Sequence, residues 1–132
     1  RRVAYRDPPG IWTICYGTTS GVKKGDTRTL AECRALLTRD MNAAIAQVER
    51  CHPGLPPNVL AAFGDAVYNI GPTVACNSTA SKLLSAGNIP AACEQLLRWN
   101  KATIAGVLVP LPGLTKRRQQ ERALCLTPST GV

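Results

Sequence analysis

Six cysteines spread over 132 residues constrain the fold of this chain more than any other feature. None belongs to a C-x-x-C pair and the chain has one histidine, His52, so a structural zinc site is not expected. Widely spaced cysteines in a small chain favour three disulfides, each stabilising the fold by about 2–4 kcal/mol, and an oxidising compartment. Six buried free thiols in a cytosolic protein are the alternative. The cysteines are Cys15, Cys33, Cys51, Cys76, Cys93 and Cys125.

Charge and composition narrow the classes of partner. Sixteen basic and eight acidic side chains give a net charge of +8, and such a surface attracts anionic polymers or an acidic cell envelope. No zinc-finger spacing or aromatic–basic ribonucleoprotein motif is present, so nucleic acid is not an expected partner. No run approaches the roughly 18 apolar residues of a membrane span, and no Gly-rich phosphate-binding motif follows a strand. We expect a soluble chain with no cofactor and no metal.

The N-terminal region over 1–28 has the pattern of turns and strands. An Asp-Pro-Pro-Gly segment at 7–10 contains the residues of a tight turn. Alternating side chains predict a strand over 11–16, with Thr13 on the face opposite Trp12. We interpret this region as a small β-lobe.

The rest of the chain has mainly helical patterns, so the expected fold class is α+β and predominantly helical. Thr29 and Glu32 form a capping box that opens a linking helix over 29–50. Asn58 is expected to cap a helix over 59–70 that is apolar nearly all round, which predicts a central place in the core. A short helix that ends at Leu84 is expected to be capped by Asn77 or Ser78, and another is expected to start at Ile89 and to include Trp99. Further expectations are a loop over 100–112, a last helix over 114–126 that is basic on its outer face, a helical lobe over 58–132, and one domain over 1–132.

Carboxylates are the main candidates for chemistry. His52 lies in a proline-rich connector, where we expect an exposed loop residue, so a Ser-His-Asp or Cys-His triad is not favoured. Paired carboxylates hydrolyse glycosides, because one protonates the leaving oxygen and the other activates water. Asp7 stands at a rigid turn as a candidate base, and the Thr13 hydroxyl could help to orient a water. A turn-forming Asp and an ordinary strand Thr are the alternative.

The N-terminal segment closely resembles the signature of phage-type lysozymes, the glycoside hydrolase family of the T-even phage enzyme and of many lambdoid endolysins. It reads Ala4-Tyr5-Arg6-Asp7-Pro8-x-Gly10-Ile11-Trp12-Thr13-Ile14-x-Tyr16-Gly17. Its Asp7-x5-Thr13 spacing fits the second half of the family's catalytic pattern, Glu-x8-Asp/Cys-x5-Thr. Further matches, in chain order, are Thr29-Leu30-Ala31-Glu32-Cys33 with Leu36, Leu37 and Asp40, then Phe63-x-x-Ala66-Val67-Tyr68-Asn69-Ile70-Gly71, Ala92-Cys93-x-x-Leu96-x-Arg98-Trp99 and Gly113-Leu114-x-x-Arg117-Arg118-x-x-Glu121-Arg122-x-Leu124-Cys125.

The resemblance implies a function and a lysozyme-like fold. The reaction would be hydrolysis of the β-1,4 bond between N-acetylmuramic acid and N-acetylglucosamine in peptidoglycan. The fold would have a small N-terminal β-lobe, a larger helical lobe and a cleft between them. In the family a Glu is the general acid, and by resemblance Asp7 and Thr13 would position the attacking water. Gly17, Tyr68 and Asn69 would line the saccharide cleft.

This sequence departs from the family pattern at two positions. The general-acid Glu should stand at the third position upstream of Arg1, so we expect an N-terminally truncated chain that is inactive as it stands. The residue after Gly17 is often a His in the family, where it can pair with the Asp of the linking helix. Thr18 stands there in this chain, so Asp40 is expected to lack that partner.

The cysteine positions resemble those of exported signal-anchor-release endolysins, in which an N-terminal hydrophobic anchor tethers the enzyme at the membrane before release. That resemblance implies the bridges Cys51–Cys76 and Cys93–Cys125, which leaves Cys15 to pair with Cys33. We therefore expect a monomeric endolysin, exported to the periplasm or cell envelope of a phage host, that acts on peptidoglycan strands. An upstream membrane anchor would fit the same class.

Two other functions are compatible with the sequence. A lysozyme-like domain without its Glu could bind glycan without cutting it. A cationic membrane-active protein could act through the basic side chains of its last helix, although a solvated helix face also explains those charges. They are Lys116, Arg117, Arg118 and Arg122.

Overall fold

The computed structural model of the chain describes residues 1–6 and 10–128 and contains two compact units. The N-terminal unit comprises Arg1–Asn42 and Ala102–Val109, and the helical unit comprises Ala43–Lys101 and Pro110–Val132. Each unit has its own cluster of buried side chains.

The N-terminal unit begins with a two-stranded antiparallel sheet of β1 (Tyr5–Arg6) and β2 (Trp12–Thr13). The predicted strand over 11–16 was therefore too long. The backbone leaves the extended conformation at Cys15, whose φ is +62°, and the chain turns back. Because residues 13–15 are all buried, the alternation of inward and outward side chains also fails there.

A long helix, α1 (Leu30–Cys51), starts in the N-terminal unit. The predicted capping box opens it, since the Thr29 N–H donates to Glu32 Oε1 at 2.8 Å and the Glu32 N–H donates to Thr29 Oγ1 at 3.1 Å. The N-terminal core is small. It consists of Ile14, Cys15 and Cys33, with Ala4, Val22 and Leu36 packed against them.

The helical unit is built around α2 (Pro57–Ile70), which packs extensively against the last helix, α6 (Pro112–Leu126). The central place of α2 confirms the prediction from its apolar sequence, since Val59, Ala62, Phe63, Ala66 and Val67 are buried. The shorter elements between the two helices are α3 (Thr73–Cys76), α4 (Thr79–Ser85), α5 (Ile89–Gln95) and a 3-10 turn over Leu96–Arg98. The predominantly helical α+β class is confirmed.

A hairpin occupies most of the predicted loop over 100–112, so that prediction was wrong. Its strands are β3 (Lys101–Ile104) and β4 (Val107–Pro110), which pair as a separate two-stranded sheet. Ala105 and Gly106 connect them with φ values of +52° and +79°. Two consecutive residues with positive φ are the turn that matches the twist of a tight hairpin.

Asn58 does not cap α2, which begins at Pro57. Its side-chain Nδ2 donates instead to the carbonyl oxygens of Leu124, at 3.3 Å, and Cys125, at 3.0 Å. It also donates to the carbonyl of Thr127. Asn58 therefore satisfies carbonyl groups at the C-terminal end of α6, which a helix leaves without internal partners.

His52 is buried, so the expectation of an exposed loop residue was wrong. Its Nε2 lies 2.8 Å from the Ala75 carbonyl oxygen and 3.0 Å from Ser81 Oγ. A carbonyl can only accept a hydrogen bond, so Nε2 carries the proton and cannot act as a base towards Ser81. The contact is structural, and it does not form a catalytic dyad.

Three disulfides are present, and they are the pairs that the sequence comparison implied. Cys15–Cys33 lies in the N-terminal unit, while Cys51–Cys76 and Cys93–Cys125 lie in the helical unit. Within the described residues no cysteine is free. Over 1–6 and 10–128, no helix combines the length and apolar character that a membrane span needs.

Candidate functional site

Thr13 is held in β2 with its hydroxyl committed to the backbone. It pairs with Tyr5 of β1 in the antiparallel register, and its side chain is buried. Thr13 Oγ1 donates to the Ile11 carbonyl oxygen at 3.0 Å. The oxygen keeps its lone pairs, so towards a third group it can act only as an acceptor. Asp7, the other predicted catalytic residue, lies outside the described residues.

Gly17 stands at the tip of a tight turn that follows β2. The backbone N–H groups of Ile14 and Thr18 donate to each other's carbonyl oxygens at 2.9 and 3.0 Å, which closes the turn. Gly17 is exposed and has a φ of +125°, a conformation that side chains disfavour. Two contacts fix this turn to α1: the Cys15–Cys33 bridge and the Thr18 side chain.

Asp40 lacks the His partner that is common in the family, as expected, but it has two other partners. Thr18 Oγ1 donates to Asp40 Oδ2 at 2.7 Å, and Arg39 Nε donates to Asp40 Oδ1 at 2.9 Å. Thr18 is nearly fully buried, so its hydroxyl needs an acceptor inside the unit. A neutral hydroxyl thus occupies the place where a His is common in the family pattern.

Tyr68 and Asn69 are consecutive residues in the last turn of α2. Tyr68 is half-buried and the Arg117 guanidinium lies over its ring, 5.8 Å from the centroid. Asn69 is exposed, but its Oδ1 accepts a hydrogen bond from Arg118 Nη2 at 2.9 Å. The predicted saccharide-binding residues of the helical unit are therefore both in contact with the basic pair on α6.

Arg118 and Glu121 lie in contact, both buried, one turn apart on α6. Their exposed fractions are 0% and 3%, and Arg118 Nε lies 2.6 Å from Glu121 Oε1. Burial, and then a hydrogen bond with Asp65, raise the pKa of Glu121 to about 8, although Arg118 acts in the opposite direction. The Glu121 carboxyl thus retains a proton at a pH where an exposed Glu has lost it.

Asp65 and Arg117 form a second pair beside the first. Arg117 donates from Nε to Asp65 Oδ2 at 2.9 Å and from Nη2 to Oδ1 at 2.7 Å. Burial alone would raise the pKa of Asp65, but hydrogen bonds from Arg117 and Glu121 outweigh it and lower that pKa below its ordinary value. Asp65 is therefore the ionised member of the carboxyl pair that it forms with Glu121.

The last helix does not present a continuous basic face to solvent. Arg117 pairs with Asp65, Arg118 is buried, and Arg122 makes a two-point contact with Glu94 at 2.8 and 2.6 Å. Two of its four basic side chains are thus paired with carboxylates and a third is buried, which argues against a membrane-active helix. The prediction that these charges lie on an outer, solvated face was wrong for Arg118.

Sequence reasoning missed the inward roles of Arg118 and Glu121. One signal was their spacing of three on a helix, which brings two side chains together. Another was α2 itself, since an apolar helix that carries Asp65 and Asn69 needs polar partners for them inside the fold. Of the predicted site residues, Thr13 and Gly17 belong to the N-terminal unit, and Tyr68 and Asn69 belong to the helical unit.

Comparison with known proteins identifies the fold and its relatives. Residues 1–121 match the family described as phage lysozyme. The SAR-endolysin of Pseudomonas phage phiKMV is 40% identical over 128 residues, which are 96% of this chain and 79% of that protein. Among solved structures, an endolysin from Escherichia coli O157:H7 phage FAHEc1 has a TM-score of 0.81 and 33% identity, and the match covers 100% of this chain and 85% of that one.

A second solved structure with a similar fold is described as the muramidase domain of SpmX from Asticaccaulis excentricus. Its TM-score is 0.82 at 29% identity, and the match covers 97% of this chain and 88% of that one. The lysozyme-like fold expected from the sequence is confirmed by both structures. Sequence and fold similarity therefore extend over nearly the whole polypeptide, and this chain belongs to the phage lysozyme family.

Proposed function

We propose that this chain is an endolysin-type muramidase that hydrolyses the β-1,4 bond between N-acetylmuramic acid and N-acetylglucosamine in bacterial peptidoglycan. The observation that carries the proposal is the family match over residues 1–121, together with the Asp7-x5-Thr13 spacing inside it. Hydrolysis of this bond needs a general acid on the leaving oxygen and a group that activates water on the opposite face of the sugar.

Asp7 and Thr13 act on the water. The hydrogen bond from Thr13 Oγ1 to the Ile11 carbonyl supports this role, because it leaves the hydroxyl able only to accept from a water molecule. The water would donate one proton to Thr13 and the other to the Asp7 carboxylate. A lone pair of the water oxygen would then face the anomeric carbon, and Asp7 would take up a proton of the water as the new C–O bond forms.

The general acid is a Glu at the third position before Arg1, a position that the given sequence does not include. It would protonate the leaving oxygen as the glycosidic bond breaks. Gly17, Tyr68 and Asn69 bind the glycan, and the exposure of Gly17 and Asn69 is compatible with contact to a polymer. A net charge of +8 favours association with an anionic envelope.

The site of action would be the periplasm or cell envelope of a phage host. Three disulfides support export, because such bridges persist in oxidising compartments. Relatives that carry the name SAR-endolysin support it as well. We further propose that the domain acts as a monomer and follows an upstream membrane anchor.

Turnover of purified peptidoglycan tests the assignment. The chain would be extended upstream to place a Glu at the third position before Arg1, with Gln at that position as the matched control. We expect lysis from the Glu form, and a loss of about 10²–10⁴-fold in the Gln form and in Asp7→Asn. Thr13→Val should also lose activity, while Thr13→Ser should retain most of it. Normal rates in Asp7→Asn and Thr13→Val, or turnover by the 132-residue chain alone, would contradict these roles.

A further inference from the structure

Arg118 is fixed inside the helical unit by acceptors on three sides. Its Nη2 lies 2.7 Å from Glu121 Oε2, and its Nε lies 2.6 Å from Glu121 Oε1. Nη1 lies 3.5 Å from the Trp99 carbonyl oxygen, and Nη2 also donates to Asn69 Oδ1 at 2.9 Å. The guanidinium is wholly buried, so these contacts determine its position and leave it little freedom to turn.

The Asn69 amide can face this guanidinium in only one way. An arginine side chain donates and never accepts, so the amide oxygen must face Arg118. A half-turn of the amide would set its N–H groups against the N–H groups of Arg118. Both Nδ2 donors of Asn69 therefore point away from Arg118. Asn69 itself is an exposed residue of α2.

We propose that Arg118 is a positioning residue, which holds the Asn69 amide so that its N–H donors meet an acceptor oxygen of the glycan. This rests on the proposed function, which assigns Asn69 to saccharide binding. The acceptor is a neutral oxygen, either a sugar hydroxyl or the carbonyl of an acetamido group. A donor that is already oriented binds more tightly, because its rotamer freedom is not lost on binding. Glu121 takes part by holding Arg118.

Two variants test separately the Asn69 N–H donors and the Arg118 side chain that orients them. Asn69→Asp keeps an oxygen for Arg118 but removes both N–H donors. Arg118→Lys keeps a positive charge for Glu121 but replaces the planar fork with one point of contact. Arg122→Lys is the matched control, because Arg122 lies on the same helix and pairs with the exposed Glu94.

NMR titration measures the binding of a peptidoglycan tetrasaccharide of alternating N-acetylglucosamine and N-acetylmuramic acid. Salt at about 1 M screens the charge that Asp introduces, since the Debye length is then about 3 Å. We expect the Kd to rise about 3- to 10-fold in Asn69→Asp and in Arg118→Lys, and to stay unchanged in Arg122→Lys. The double variant should be no weaker than Asn69→Asp alone, because Arg118 acts through Asn69.

A second readout follows the amide itself. In Arg118→Lys the side-chain N–H2 signal of Asn69 should show increased motion, whereas Arg122→Lys should leave it unchanged. An N-deacetylated tetrasaccharide distinguishes the acceptors: a smaller penalty for Asn69→Asp on this ligand identifies the acetamide carbonyl, and an equal penalty identifies a hydroxyl.

Failure of the inference differs from failure of the proposed function. If the unaltered chain does not bind the tetrasaccharide, the glycan-binding function itself is wrong. If the chain binds but Asn69→Asp has an unchanged Kd, Arg118 does not act through Asn69. The same holds if the increases in Kd from the two single substitutions multiply in the double variant. Should Arg118→Lys fail to fold, Asn69→Asp still tests the N–H donors, because it preserves the Arg118 contact, and an unchanged Kd in that variant overturns the inference.

Discussion

The Glu121 carboxyl lies between a cation and a second carboxylate, and this position couples its ionisation to folding. Its pKa is about 8 in the folded chain against an ordinary value of 4.5. Between these two pH values the folded protein holds a proton that the unfolded chain has released. The free energy of unfolding contributed by Glu121 is therefore fully present below about pH 4.5 and is lost as the pH rises towards 8.

Glu121→Gln should flatten the dependence of stability on pH. Gln keeps an acceptor for Arg118 but does not titrate, so its free energy of unfolding should fall less than that of the parent between pH 4.5 and 8. Urea unfolding at several pH values measures this slope. Glu94→Gln is the control, because a hydrogen bond from Arg122 lowers the pKa of Glu94 and confines its effect to more acidic solutions. Equal slopes in parent and Glu121→Gln would contradict the raised pKa.

Some residues of the candidate site could be predicted from the sequence and others could not. Thr13 and Asn69 were singled out because they stand in a motif with fixed spacing. The family pattern indicated that position 18 lies near Asp40, but it did not predict that a threonine hydroxyl would donate to a carboxylate 22 positions away. Arg118 was assigned to the surface because a run of basic residues is usually solvated. Only the fold brings the Glu121 carboxyl and the Asn69 amide oxygen against its buried guanidinium.

At the scale of elements, local signals predicted helices well and the β-structure poorly. The Thr29–Glu32 capping box is encoded within four residues, so it can be read directly. The cap of α4 could be narrowed to Asn77 or Ser78, and the structure has Ser78. The β3–β4 hairpin was missed because its Ala105-Gly106 turn lacks the usual Asn-Gly signal and nearby prolines suggest a loop. Asn58 was misassigned for a different reason, because its partners lie 66 and 67 residues away at the end of α6.

Gly64 lets α2 approach α1 closely within the helical unit. A Cβ added at Gly64 would lie 2.8 Å from Ile45 Cγ1, closer than two carbon atoms can come without movement. Ile45 is β-branched and has little rotamer freedom in a helix, so it cannot easily move aside. The close approach therefore requires a glycine even though glycine is a poor helix former.

Gly64→Ala should lower the free energy of unfolding by about 1–3 kcal/mol through overpacking, despite the higher helix propensity of alanine. Gly113→Ala is the matched control in α6, where an added Cβ meets no atom within 4 Å. That variant should be unchanged or more stable by up to about 1 kcal/mol. Urea denaturation of both proteins measures the difference. An increased free energy of unfolding in Gly64→Ala would show that the Ile45 side chain moves aside without loss of stability.

At the scale of the molecule, the two units differ in how they are held together. The helical unit has a core of many buried apolar side chains and two disulfides, Cys51–Cys76 and Cys93–Cys125. Among its described residues, the N-terminal unit has three buried residues in its core, and two of them are the cysteines of the Cys15–Cys33 bridge. A small core supplies little hydrophobic stabilisation, so this unit depends more on its covalent link.

Removal of the Cys15–Cys33 bridge should therefore open the N-terminal unit while the helical unit stays folded. In Cys15→Ala/Cys33→Ala we expect amide hydrogen exchange to accelerate in residues 1–28, corresponding to about 2–4 kcal/mol of lost protection, with little change over 57–70. Cys93→Ala/Cys125→Ala is the matched control, because both cysteines belong to the helical core and its loss should expose that unit instead. Hydrogen exchange with mass spectrometry resolves the two regions. Equal loss of protection in both regions of the first variant would mean that the chain unfolds as one cooperative body.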